Sequence, residues 1–298
     1  MCGIVGLFLK DKSLEPQLGA LLSEMLVSMT DRGPDSAGIA IYDGGARGHG
    51  KITIQSPIPA ADFPGLDVEL GNEIGAKVST LVKSTHAVLD VPTDKLEAAR
   101  AAIAELRPNA RIMGVGEAIE IYKEVGLPAE VVKRFEVIAM KGSHGIGHTR
   151  MATESAVTTL GAHPFSTGPD ECLVHNGSLS NHNNLRRELI RDGMRFETEN
   201  DTEVAAAYLS SKIAHGMNLG EALKSSLSDL DGFFTFVVGT RNGFGVVRDP
   251  IACKPAVLAE TDSYVAFGSE YRALANLPGI EDAKIWEPEP STVYFWEH

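Results

Sequence analysis

Cys2 is the residue best placed to do chemistry, by position as well as by type. The chain begins Met1-Cys2-Gly3-Ile4-Val5-Gly6, so loss of the initiator methionine leaves a cysteine at the amino terminus. Such a residue carries a soft thiol nucleophile and a free α-amine together. That amine has an ordinary pKa of about 7.7–8.0, against about 10.4 for lysine, so roughly a tenth is neutral near pH 7 and able to take a proton. A nucleophile activated by its own terminal amine is an established form of covalent catalysis. Small residues after Met1 also suit methionine removal. Taken alone, Cys2 reads more simply as a small residue filling a buried first strand.

Further polar motifs are spaced along the chain. They are Asp31-Arg32-Gly33-Pro34-Asp35-Ser36, Gly147-His148-Thr149-Arg150-Met151-Ala152-Thr153, Ala162-His163-Pro164, His175-Asn176-Gly177 and Asn200-Asp201-Thr202-Glu203-Val204. An asparagine amide beside a glycine backbone N–H offers two fixed donors for a developing oxyanion, although Asn-Gly is also a common turn pair. The planar guanidinium of Arg150 suits bidentate binding of a carboxylate. Asp201 reads as the N-cap of a helix over 202–214, and one carboxylate can serve a cap and a ligand. His144 and His148 are four residues apart, but Gly142, Gly145 and Gly147 argue against a helix that would align them, so no metal site is expected. Cys2, Cys172 and Cys253 have neither disulfide nor metal spacing.

In their order, these motifs resemble the class II glutamine amidotransferases, the N-terminal-nucleophile glutaminases of glutamate synthase, glucosamine-6-phosphate synthase, amidophosphoribosyltransferase and asparagine synthetase. The resemblance covers residues 1–45 and about 142–275. It implies that the Cys2 thiolate attacks the side-chain amide of L-glutamine, giving a thioester, glutamate and ammonia. It implies that Asn176 and Gly177 form the oxyanion hole, that Arg150 binds the α-carboxylate, that Asp201 binds the α-ammonium group, and that Thr153 adds a supporting contact. Arg32 and Asp35 match a loop beside the site and are assigned support, a salt bridge being the simplest role. His163 is placed at the pocket edge. Two departures stand out. Met151 occupies a position where relatives often have an aromatic residue, and Glu154 one where some have histidine or asparagine.

The elements that must position these residues fall into three blocks. Residues 2–9 read as a buried strand, 14–29 as a helix and 37–42 as a strand. Residues 48–140 have a different texture and read as a small inserted α/β subdomain. Its expected elements are helical patterning over 70–83, a strand over 86–91, a helix over 95–106, a strand over 111–115, and helices over 116–125 and about 128–135. Residues 141–298 are strand-rich, with helices over about 182–191, 202–214 and 219–229 and a hairpin at Asn242-Gly243. The expected domain division is 1–47 with 141–298, interrupted by 48–140. The resemblance implies an α+β fold, the four-layer αββα sandwich of N-terminal-nucleophile hydrolases.

Composition narrows the partners. Forty acidic residues against 27 Lys and Arg give a net charge of −13, which argues against nucleic acid or an anionic membrane. The apolar opening lacks a basic region and a cleavage motif, so no signal peptide is expected. Sparse cysteines fit a reducing compartment and a cytoplasmic location. No P-loop or dinucleotide motif follows the glutaminase motifs, so the ammonia acceptor is expected on synthase-type partner subunits. The small subunit of methylamine–glutamate N-methyltransferase is the family type it resembles most. No cofactor is expected in this chain; FMN or an iron–sulfur cluster would belong to a partner. Two other readings stay open: a glutamine-sensing subunit without turnover, and an N-terminal-nucleophile amidase of another specificity.

Overall fold

The computed structural model describes residues 2–152 and 156–298, so Thr153 and Glu154 lie outside the described residues. In chain order the strands are β1 (Gly3–Leu9), β2 (Ser36–Tyr42), β3 (His49–Gln55), β4 (Ser79–Lys83), β5 (His86–Pro92), β6 (Arg111–Gly116), β7 (Ile119–Val125) and β8 (His144–Arg150). They continue with β9 (Cys172–Leu179), β10 (Gly232–Gly239), β11 (Gly243–Arg248), β12 (Val257–Glu260), β13 (Tyr264–Gly268), β14 (Lys284–Trp286) and β15 (Thr292–Glu297). The helices are α1 (Leu18–Ser28), α2 (Pro59–Asp62), α3 (Leu66–Ile74), α4 (Leu96–Leu106), α5 (Pro128–Arg134), α6 (His182–Arg191), α7 (Asp201–Ala214) and α8 (Leu219–Asp229).

Two sheets face each other. One has seven strands in the order β14-β12-β13-β1-β8-β2-β7, the other four in the order β15-β11-β10-β9. Alternation along β1 shows how the layers arise. Ile4 and Phe8 join the core between the sheets, whereas Val5, Leu7 and Leu9 join the core under α1. The helix α1 contributes Leu18, Leu22, Met25 and Leu26, all buried, each stabilising by about 1.5–3 kcal/mol through removal from water. A Cβ at Gly145 would stand 2.9 Å from Leu22, and one at Gly147 3.0 Å from Leu26. The bare backbone of β8 therefore lets α1 lie close. The outer face of the smaller sheet is covered by α7 and α8, through Val204, Ala207, Leu219 and Leu223 against Phe234, Phe236 and Val247. The result is the expected αββα sandwich.

The inserted unit has its own four-stranded sheet, order β4-β5-β3-β6, all neighbours antiparallel. With α3 and α4 between its strands it is a β-α-β-β-α-β unit of ferredoxin-like connectivity. Ile52, Ile54, Leu89 and Val91 pack on Leu66, Leu70 and Ile103 on its helical side.

Three sequence expectations change. Residues 116–125 are not helical: Ile119 and Ile121 point between the sheets while Tyr122 joins the α1 core, a two-residue alternation that makes β7 a strand. That strand pairs with β2 in the large sheet, and Val131, Val132 and Phe135 of the following segment pack in the α1 core. Residues 119–140 thus join the sandwich, and they also seat the insert's sheet, through Lys51 to Glu120 at 2.7 Å and His86 edge-on to Phe135 at 4.8 Å. The helical patterning over 70–83 ends early, because Gly75 takes a left-handed φ of 65° and closes α3.

Candidate active site

Cys2 sits immediately before β1, whose Gly3 pairs with Thr149 of β8. Its carbonyl oxygen accepts from Arg32 Nε at 3.0 Å and from Asn176 Nδ2 at 3.1 Å. The next residues are held equally firmly. Ile4 N donates to Ser269 Oγ at 2.9 Å, and Ser269 N donates back to the Ile4 carbonyl at 2.9 Å. The thiol is free and partly exposed.

Arg32 is almost fully buried, and its Nη1 lies 2.6 Å from Glu270 Oε1. Glu270 also pairs with Arg272 Nε at 2.8 Å. The salt bridge expected between Arg32 and Asp35 is therefore replaced by one to Glu270. The reason is geometric: Asp35 faces the turn after β8. Its Oδ2 accepts from Ala152 N at 2.8 Å, and its backbone N donates to the Arg150 carbonyl at 3.1 Å. Asp35 thus braces the segment that carries Arg150.

Arg150 ends β8, one residue beyond the partner of Gly3, and is 8% exposed. One of its contacts is from Nη1 to the Ala156 carbonyl at 3.4 Å. Thr153, the expected supporting contact, lies outside the described residues.

Asn176 and Gly177 sit within β9. Asn176 points between the sheets toward Cys2, while Gly177 has φ 151° and pairs with Phe234 of β10. A Cβ at Gly177 would stand 2.0 Å from the Phe233 carbonyl and 2.7 Å from His175 Nε2. Only glycine fits here, which is stronger than the turn reading that the Asn-Gly pair allowed; the pair lies in a strand, and no turn forms.

Asp201 is the first residue of α7, and its expected role as N-cap passes to Asn200, whose side chain accepts from Thr202 N at 2.9 Å. The carboxylate is consequently turned toward β9. Its Oδ2 accepts from Leu179 N at 3.0 Å, and its Oδ1 lies 3.7 Å from His175 Nδ1. Burial works to raise its pKa, but His175 and the Leu179 N–H outweigh that and hold it below the usual carboxylate value.

His163 lies deeper than the pocket edge. Its Nδ1 is 2.8 Å from His148 Nε2 and its Nε2 is 2.8 Å from Thr202 Oγ1. Thr202 Oγ1 is also 3.1 Å from His175 Nδ1, and His148 Nε2 is 3.1 Å from the His175 carbonyl. Burial pushes His148 down to about 3 and His163 well below its ordinary value. Both imidazoles are therefore neutral. No group of metal-ligating side chains occurs among the described residues, and no helix among them is long and apolar enough to cross a membrane.

Cys2, Arg32 and Asn176 thus meet directly, with Gly177 adjacent. Arg150 and Asp201 sit on the neighbouring strand and helix ends. Glu270, Ser269 and Thr202 were not singled out by their sequence context. Nothing local to Glu270 signals its distant partner.

The arrangement holds the Cys2 backbone against the Asn176 amide, next to Gly177, with a buried guanidinium and a carboxylate on the adjoining strand and helix ends. That suits nucleophilic attack on an amide carried by a zwitterionic amino acid. Comparison with known proteins agrees. A family model described as a glutamine amidotransferase domain matches residues 148–276. The glutamine amidotransferase-like protein GlxB of Rhizobium meliloti is 70% identical over 298 residues, covering 100% of this chain and 99% of that protein. A putative glutamine amidotransferase of Methanothermobacter thermautotrophicus is 34% identical, with 99% of each chain covered. Among solved structures, the glutamine phosphoribosylpyrophosphate amidotransferase of B. subtilis superposes with a TM-score of 0.63 at 21% identity. The match covers 99% of this chain and 47% of that one.

Proposed function

Since the chain belongs to the class II glutamine amidotransferase family, we propose that it hydrolyses L-glutamine through a thioester on Cys2 and supplies the ammonia to a separate synthase-type partner. The observation that carries the first part is the double clamp on the Cys2 carbonyl by Arg32 and Asn176. It fixes the nucleophile's backbone beside the amide that is to meet the oxyanion.

In this reading the Cys2 α-amine, freed by loss of Met1, takes the thiol proton. The thiolate adds to the side-chain carbonyl of glutamine. The tetrahedral oxyanion is met by an Asn176 Nδ2–H and the Gly177 N–H. The Nδ2 group has two hydrogens; one is spent on the Cys2 carbonyl, which orients the other. Collapse transfers the proton to the leaving nitrogen and releases ammonia. Water then attacks the thioester, the amine again accepting the proton, and glutamate leaves. Arg150 holds the α-carboxylate and Asp201, ionised by its surroundings, the α-ammonium group.

The test is glutamate release from glutamine by purified protein of verified intact mass. Protein lacking Met1 should turn over, and Cys2→Ala should not; activity surviving in that variant rejects the mechanism. Glutamine binding with no turnover in protein lacking Met1 would favour the sensing alternative.

The second part carries forward the sequence reading, in which no P-loop or dinucleotide motif accompanies the glutaminase motifs. The partner proposed is glutamate-synthase-like, in glutamate or N-methylglutamate metabolism, and any FMN or iron–sulfur cluster would reside there. The insert is assigned to docking it. Co-purification of the native protein identifies the partner, and removal of the β3–β6 unit that leaves binding unchanged would exclude the docking role.

A further inference from the structure

Lys123 lies on β7, in a segment whose sequence suggests no part in the site. It is 4% exposed. Its Nζ is 3.2 Å from the Leu160 carbonyl, 2.8 Å from that of Ala162 and 3.2 Å from that of Pro164, and 4.4 Å from the centroid of the Phe165 ring. An ammonium group has three hydrogens, and here three carbonyls of a single loop receive them. Burying such a charge costs several kcal/mol unless its surroundings replace water. Burial does pull Lys123 down to about 8, while the carboxylates of Glu203 and Glu197 act to keep it charged. A change of loop conformation would strand a buried cation, so the loop over 160–165 is tied to one shape.

What the loop carries is His163, and that imidazole touches two of the elements bearing a proposed substrate contact and reaches a third through one residue. Through His148 it meets β8, two residues before Arg150. Through Thr202 it meets the first turn of α7, next to Asp201. Thr202 in turn meets His175, the residue before Asn176. Hydrogen placement follows from one carbonyl. The His175 oxygen can only accept, so His148 Nε2 bears hydrogen, shared with His163 Nδ1. His163 therefore donates from Nε2 to Thr202, whose own hydrogen turns toward Asp201 Oδ1. A neutral, directional chain results.

We propose that Lys123 is a positioning residue for the glutamine site. Through the 160–165 loop and His163 it sets the spacing between the ammonium ligand on α7 and the oxyanion donors on β9. The proposal rests on the glutaminase reading of Asp201 and Asn176. Lys123 itself touches no substrate, so it acts on how tightly glutamine is held, not on the chemical step.

The test compares Lys123→Met, Lys123→Gln and Thr202→Val in the full-length chain. Lys123→Met should raise KM for glutamine about tenfold, the equivalent of about 1.4 kcal/mol, with kcat changed far less. Thr202→Val should move KM the same way, and the double variant should fall short of the product of the two effects, because they lie on one chain of contacts. Lys123→Gln, which keeps two donors, should fall between. A separate readout is the imidazole nitrogen spectrum: His163 should be the Nε2–H tautomer in the native protein and a mixture in Lys123→Met. A folded Lys123→Met or Lys123→Gln with native KM and a native His163 signal overturns the proposal. So does native KM in Thr202→Val, even if both lysine variants fail to fold. If the native protein releases no glutamate, the glutaminase reading falls separately, and the His163 signal still decides whether Lys123 positions the loop.

Discussion

The side-chain amide of Asn176 lies 3.1 Å from the carbonyl oxygen of Cys2, joining residues 174 positions apart in sequence. One side chain thereby anchors the Cys2 backbone and, in the proposed mechanism, aims its remaining N–H at the oxyanion. Its removal should cost more than an ordinary surface hydrogen bond. For Asn176→Ala, kcat for glutamine hydrolysis should fall about 10²–10³-fold, the usual penalty for losing one oxyanion donor. KM should move little, as measured by steady-state glutamate release.

Arg32→Met removes two contacts, one to the Cys2 carbonyl and one to Glu270. Glu270 keeps Arg272, so the variant should fold, with stability lowered by about 1–3 kcal/mol, the range for hydrogen bonds to charged groups. The amino terminus loses one of its two clamps, and kcat should fall at least tenfold. Urea titration and turnover together check this; unchanged kcat would show that Arg32 serves stability alone.

Gly177→Ala should be more damaging than its single methyl suggests. The new carbon would meet the Phe233 carbonyl 2.0 Å away, at φ 151°. β9 would have to shift or leave β10, at a cost of about 2 kcal/mol or more. Activity and melting temperature should drop together, and a native melting temperature with full activity in this variant would show that β9 accommodates a Cβ at residue 177.

Stability should decline in mild acid. His86, His144 and His148 are each pushed down to about 3 by burial, and His163 lies well below its ordinary value too. Above pH 6.5 these groups are neutral in both folded and unfolded chains. As pH falls from about 6.5 towards 3, the unfolded chain binds protons that the folded one refuses, so folding weakens by up to about 1.4 kcal/mol per pH unit per histidine. His144→Phe keeps a ring stacked on Tyr42 and removes one such proton. Its unfolding free energy should therefore have a shallower pH dependence, by about one proton, between pH 6 and 4.

Much of this was legible before any coordinates. The continuous apolar run of β1, the glycines that argue against a helix over β8 and the Asn-Gly hairpin before β11 carry their structure locally. So did the order of Cys2, Arg150, Asn176 and Asp201. What stayed hidden depends on distant pairing. Residues 116–125 hold enough charge to pass for a helix, and only pairing with β2 makes their alternation decisive. Arg32 had an obvious acidic neighbour in Asp35, yet its partner is Glu270, brought near by β13 pairing with β1. Asp201 reads as the cap from the sequence, yet Asn200 takes that role, and the Asp201 carboxylate accepts from the Leu179 N–H of β9 instead.

The pairing of β1 has a temporal meaning. Its two neighbours are β8 and β13, so the first strand of the chain has no strand partner until residues 144–150 and 264–268 exist. Contacts of such long separation form late. Until β13 exists, the strand that follows Cys2 lacks at least one of its two neighbours. Once β13 docks, Ser269 and Glu270 arrive with it and the end is clamped. Synthesis order thus keeps the surroundings of Cys2 incomplete until Ser269 and Glu270, late in the chain, have been made.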